Sequence, residues 1–137
     1  MTGAGAALYP GRWNTKGTPV IYTASAASLA ILESWVQHKN EALMQHYSIM
    51  SVEFDPKLVT TFDLKESKLE KDWRKKPQTV AAQQYADMKL KTHLILEVPS
   101  VITPVETNYI INPNHPEFNQ LKFGKPEHFE FDYRMYK

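Results

Sequence analysis

Thr18-Pro19-Val20-Ile21-Tyr22-Thr23, followed at once by Ala24-Ser25-Ala26-Ala27-Ser28-Leu29-Ala30-Ile31-Leu32-Glu33-Ser34-Trp35-Val36, changes its periodicity once, and that change decides the class of fold. Val20, Ile21 and Tyr22 are strand formers, and Pro19 suits the first residue of a strand, so Thr18–Thr23 reads as a short buried strand. Ser25 is then a candidate cap for a helix running to about His38. Leu29, Leu32, Trp35 and Val36 recur at helical spacing and mark its buried stripe.

Working outward, residues 1–17 are rich in Gly and Ala and read as an irregular loop. Asn40–Tyr47 either extends the helix or forms a second turn. Ile49–Phe54 alternates like a strand and is broken by Asp55-Pro56. Val59–Leu64 reads as a further strand, and Lys65–Trp73 as an exposed helix or turn with Leu69 and Trp73 on one side. Thr79 caps a helix to about Leu90. His93–Val98 is an apolar strand, Val101–Thr103 continues extended, and Asn108–Asn112 is β-like. A turn and a short helical segment follow, and Phe129, Phe131, Tyr133 and Met135 alternate with charged residues as a half-buried strand. Strands and helices mix without a βαβα rhythm, so the expected class is α+β in one domain over residues 1–137.

Composition narrows the chemistry. The chain has 137 residues, a hydrophobic fraction of 42% and no cysteine, which excludes a disulfide framework and a thiolate metal site and fits a reducing cytosol. A net charge of +1 argues against broad binding to nucleic acid. Lys71-Asp72-Trp73-Arg74-Lys75-Lys76 is the one candidate basic patch, and a solvated helix end accounts for it. No run is long and apolar enough to span a bilayer, and Met1–Ala7 lacks the flanks of a signal peptide, so a cytoplasmic protein is expected. The five histidines show no metal-ligand spacing. There is no P-loop, no serine elbow and no dinucleotide fingerprint. What remains is Arg12 in a Gly-rich loop, Tyr22 near a strand end and Glu33 at the edge of a helix's apolar stripe. Taken alone, these read rather as a surface loop charge, a core ring and a solvated edge carboxylate.

The order of motifs adds to this. Thr2-Gly3-Ala4-Gly5-Ala6, Gly11-Arg12-Trp13-Asn14, Gly17–Thr23, Leu29–Glu33, Asp72-Trp73-Arg74, Val98-Pro99-Ser100, Asn108-Tyr109-Ile110-Ile111-Asn112-Pro113, His115-Pro116 and Phe129–Asp132 together resemble the RES domain family. The resemblance implies an ADP-ribosyltransferase-like fold: a small split β-sheet with flanking helices and a cleft for NAD. It implies the toxin of a type II toxin–antitoxin system, paired with an Xre-type helix-turn-helix antitoxin that masks the cleft and does the DNA binding. Family members cleave NAD at the nicotinamide–ribose bond, as glycohydrolases or phosphorylases, or transfer ADP-ribose to protein. By motif, the catalytic residues would be Arg12, Tyr22 and Glu33, and the substrate-binding residues Arg12, Tyr22 and Ser100. NAD would be the substrate, with no metal and no separate cofactor.

Three departures from the family pattern accompany the likeness. Members carry a first N-terminal strand before the G-x-G-A motif, and this chain is expected to lack it. Gln84, Tyr85 and Asp87 stand where a Gly and a Trp are usual, and Gln37 where a His is common. The expected short N-terminus motivates an alternative expectation, a degenerate module that binds antitoxin or NAD without turnover.

Overall fold

The computed structural model describes residues 1–38, 46–77 and 79–135. Its centre is a four-stranded sheet in the order β1-β6-β5-β4, formed by β1 (Ile21–Ala24), β6 (Thr107–Ile111), β5 (Ile95–Pro99) and β4 (Val59–Thr61). β1 and β5 flank β6 antiparallel, while β4 joins β5 in parallel. A parallel pair cannot be closed by a hairpin, so the chain crosses over through α3 (Leu64–Ser67) and α4 (Val80–Leu90). Two short ribbons complete the β structure, β2 (Tyr47–Ile49) with β8 (Glu127–Phe129) and β3 (Val52–Glu53) with β7 (Lys122–Phe123). The class is α+β, as the mixed order of elements predicts.

Core residues pack on both faces of the sheet, which is why β5 reads as a mostly apolar run. Alternate residues go to opposite sides. Val20, Leu96, Val98 and Ile110 join Trp13, Trp73 and α4 in one core. Ile21, Ile95 and Ile111 join Leu94 and Leu121 in the other. Trp13, Phe62, Trp73 and Tyr85 pack as an aromatic cluster with ring centroids 5.2–5.6 Å apart in mostly edge-on geometry.

Several local expectations are corrected. A five-residue helix, α1 (Ala4–Leu8), forms within the opening segment. Its entry is Gly3 at φ 70°, where a Cβ would lie 2.7 Å from the Val20 nitrogen. α2 (Ala27–Gln37) starts after Ala26, so Ser25 does not cap it. Of its expected stripe only Leu29 is fully buried, and Val36 is exposed. The Ile49–Phe54 strand is split, because the chain changes partner from β8 to β7 at Met50-Ser51. Lys65–Trp73 is a short helix end followed by turns, and the Trp73 on its apolar side is buried rather than exposed. Val101–Thr103 is turned rather than extended, and the tail strand ends at Phe129. In both places a side chain competes with the ladder: Ser100 Oγ accepts from the Ile102 and Thr103 N–H groups, and Asp132 from that of Arg134. The Thr79 cap stands, its hydroxyl accepting from Ala82 N. The reading of Asn40–Tyr47 lies outside the described residues up to residue 45, and Tyr47 itself opens β2.

Candidate functional site

The loop between α1 and β1 is built around Asn14, which is fully buried. Its Oδ1 accepts from Gly11 N at 2.8 Å and from the Tyr22 hydroxyl at 2.7 Å. Its Nδ2 donates to the carbonyls of Ala6 (2.8 Å), Thr18 (3.1 Å) and Thr15 (3.3 Å). One side chain thus satisfies backbone groups that a loop without secondary structure would leave unpaired. Asp87 of α4 ties the same loop down, accepting from Thr15 N at 3.3 Å and from the hydroxyls of Thr15 and Thr18.

Tyr22 leaves much of its surface exposed, 41%, while its hydroxyl is held at the loop. The hydroxyl donates to Asn14 and accepts from Trp13 N at 3.1 Å. Burial pushes the phenol well above its ordinary value; the Trp13 N–H opposes this and the Asp87 charge adds to it. The ring is therefore neutral at any physiological pH and serves as an aromatic surface, not as a base. Gly11 is required by this contact, since a Cβ there would lie 2.6 Å from the Tyr22 hydroxyl oxygen and 2.9 Å from Cζ.

Arg12 projects from the same loop. Its guanidinium donates to the carbonyls of Lys76 (3.1 Å) and Trp73 (3.4 Å) and lies 5.7 Å from the centre of the Trp73 ring. The basic run Lys71–Lys76 is thus joined to the loop through its backbone, while the Lys76 ammonium pairs with Glu70. Burial lowers the Arg12 pKa, and the Glu33 carboxylate raises it part of the way back. Arg12 stays charged and feels Glu33 directly.

Glu33 reaches the sheet from α2. Its Oε1 accepts from Ser100 Oγ at 2.9 Å and from Asn108 Nδ2 at 2.7 Å. Ser100 follows β5 and is fully buried. Its hydroxyl donates to Glu33 and accepts from two backbone N–H groups, at 3.1 and 3.0 Å, so its hydrogen-bonding capacity is used within the protein. Asn108 pairs in register with Val98 on one side and Ala24 on the other.

Arg12, Tyr22 and Glu33 come to one end of one sheet face. Tyr22 and Ala24 point to the same side of β1, opposite Ile110 and Asn108 of β6. Two open clefts of about 380 and 390 Å³ lie elsewhere, one beside His93 and His115, the other beside Asp87 and Lys91; neither includes these residues. Among the described residues no group of three metal-ligating side chains is assembled, and no helix is long and apolar enough to cross a membrane. Sequence reasoning gave no role to Asn14, Trp73 or Asn108. All three stand inside the quoted motifs, and a buried Asn among apolar strand residues was the available signal. The unusual helix residues also find uses. Tyr85 packs on Phe62 and accepts from Asp63 N at 3.1 Å, and Asp87 anchors the loop.

Comparison with known proteins agrees with this arrangement of motifs. The chain is 32% identical over 137 residues to a Yersinia enterocolitica protein named Toxin Res, covering 98% of this chain and 89% of that protein. It is 33% identical over 140 residues to a Sphingobium protein named Prs ADP-ribosylating toxin, covering 98% and 86%. A Photorhabdus laumondii Toxin Res is 32% identical, covering 99% and 88%. The RES domain pattern itself matches residues 1–133, and the chain belongs to the RES domain family.

Proposed function

We propose that this protein is the toxin of a toxin–antitoxin pair and that it cleaves NAD at the nicotinamide–ribose bond. The observation that carries the reading is the Glu33 carboxylate, fixed through Oε1 by Ser100 and Asn108 and lying in the field of Arg12. The names of the Yersinia and Sphingobium relatives point the same way.

The chemistry follows from the residue types. When the C–N bond breaks, its electron pair passes to the cationic nicotinamide ring, which leaves neutral, and positive charge develops on the ribose. Glu33 stabilises that charge and holds a ribose hydroxyl, because its Oε2 has no hydrogen-bond partner among the described residues. Arg12 offers its remaining N–H groups to the pyrophosphate. Tyr22, neutral and half-exposed, stacks on the departing ring. Water, inorganic phosphate or a protein side chain then bonds to the ribose carbon and releases its proton. The antitoxin, of the Xre type, would cover this face of the sheet in the cytoplasm.

The test is incubation of purified protein with NAD, with and without phosphate, with products identified by mass. Free nicotinamide is expected, with ADP-ribose or its 1-phosphate as the second product, and Glu33→Ala should abolish both. Strong expression of soluble protein should lower cellular NAD. NAD that stays intact in both experiments refutes turnover and leaves a module that binds without reacting.

A further inference from the structure

β6 is a central strand whose apolar residues Ile110 and Ile111 are fully buried, yet it carries Asn108 between Val98 and Ala24. Asn is a poor strand former, and its side chain here is not fully satisfied. The Asn108 Oδ1 is sealed from solvent and has no hydrogen-bond partner among the described residues. Only Nδ2 is used, in the 2.7 Å bond to Glu33 Oε1. The amide cannot be turned over to relieve this, because Oδ1 would then face a carboxylate oxygen. A buried polar atom left unpaired is rare and calls for a compensating role.

We infer that Asn108 is a positioning residue. Together with Ser100 it holds Glu33 Oε1 and so fixes which carboxylate oxygen is left for the substrate. This rests on the NAD-cleaving reading of Glu33. Ser100 alone would leave the carboxylate free to swing about a single bond; two donors from different strand ends define its plane.

Two substitutions separate positioning from mere packing. Asn108→Leu removes the donor together with the unpaired acceptor. It should leave the melting temperature equal or higher, lower kcat about 100-fold and leave KM for NAD nearly unchanged, as expected when a reacting group is misplaced while substrate binding is kept. In Asn108→Asp the introduced carboxyl can donate to Glu33 only while protonated. That variant should keep more activity at acid pH and lose it as pH rises, an alkaline limb foreign to the wild type. Crystal structures of both variants give a readout that needs no turnover. The Glu33 carboxylate is expected to leave Ser100 Oγ in Asn108→Leu. If it keeps its position, or if both variants retain wild-type kcat at all pH values, the inference is overturned. Failure of the wild type itself to cleave NAD refutes the proposed reaction instead, and the carboxylate positions still decide the positioning role.

Discussion

Asn14→Ala removes a side chain that makes hydrogen bonds to Gly11, Tyr22, Ala6, Thr18 and, more weakly, Thr15. Four of these have good geometry, at 2.7–3.1 Å, and none of the partners gains solvent freely, because Asn14 is fully buried. At about 1 kcal/mol net for each, the loss is about 4 kcal/mol. That is a large fraction of the roughly 5–15 kcal/mol that hold a domain together. The melting temperature should fall by about 12 °C. The loop cannot simply peel away at lower cost, since Trp13 and Val20 on either side of Asn14 are core residues, 4% and 2% exposed. Urea unfolding with linear extrapolation reads the loss, with an unchanged slope showing that the unfolded state is the same. Asn14→Asp keeps the acceptor for Gly11 and Tyr22 but sets a carboxylate oxygen against three carbonyls, so it should be no better than Ala. A loss below about 0.5 kcal/mol for Asn14→Ala, within the range of an ordinary surface change, would refute the assignment of Asn14 as the centre of this loop.

Other substitutions probe the site around it. Gly11→Ala places a Cβ 2.6 Å from the Tyr22 hydroxyl oxygen, so it should displace the ring and lower both thermal stability and NAD turnover; unchanged stability would show that the loop yields at no cost. Arg12→Lys keeps the charge but cannot reach the Trp73 and Lys76 carbonyls with one planar fork, and should weaken NAD binding measured by calorimetry. Tyr22 gives a pH dependence. Its pKa is raised in the folded state, so its contribution is complete below the unfolded value near pH 10 and is lost as pH rises beyond it. Stability measured by urea unfolding from pH 9 to 11 should fall more steeply for wild type than for Tyr22→Phe; equal slopes would contradict the buried hydroxyl.

Much of the fold is legible in local patterns. The strand read over Thr18–Thr23, which forms over Ile21–Ala24, the helix carrying Glu33, the Thr79 cap and the apolar strands at Ile95 and Ile110 each follow from the period of a few neighbouring residues. Expectations failed where a side chain competed with the backbone ladder, as at Ser100 and Asp132, or where a strand changed partner, as at Ser51. Neither event leaves a trace in hydrophobic periodicity.

The sequence by itself determined the α+β class, the central strands and the two long helices, and the motif order by which Arg12, Tyr22, Glu33 and Ser100 could be singled out. Only the tertiary structure decided what those residues touch. Glu33 meets Ser100 and Asn108 across separations of 67 and 75 residues, and Arg12 meets Lys76 across 64. Periodicity reports which face of an element is buried, because burial acts on near neighbours along the chain. Hydrogen bonds between distant segments depend on the register of β1, β5 and β6, which the packed sheet fixes.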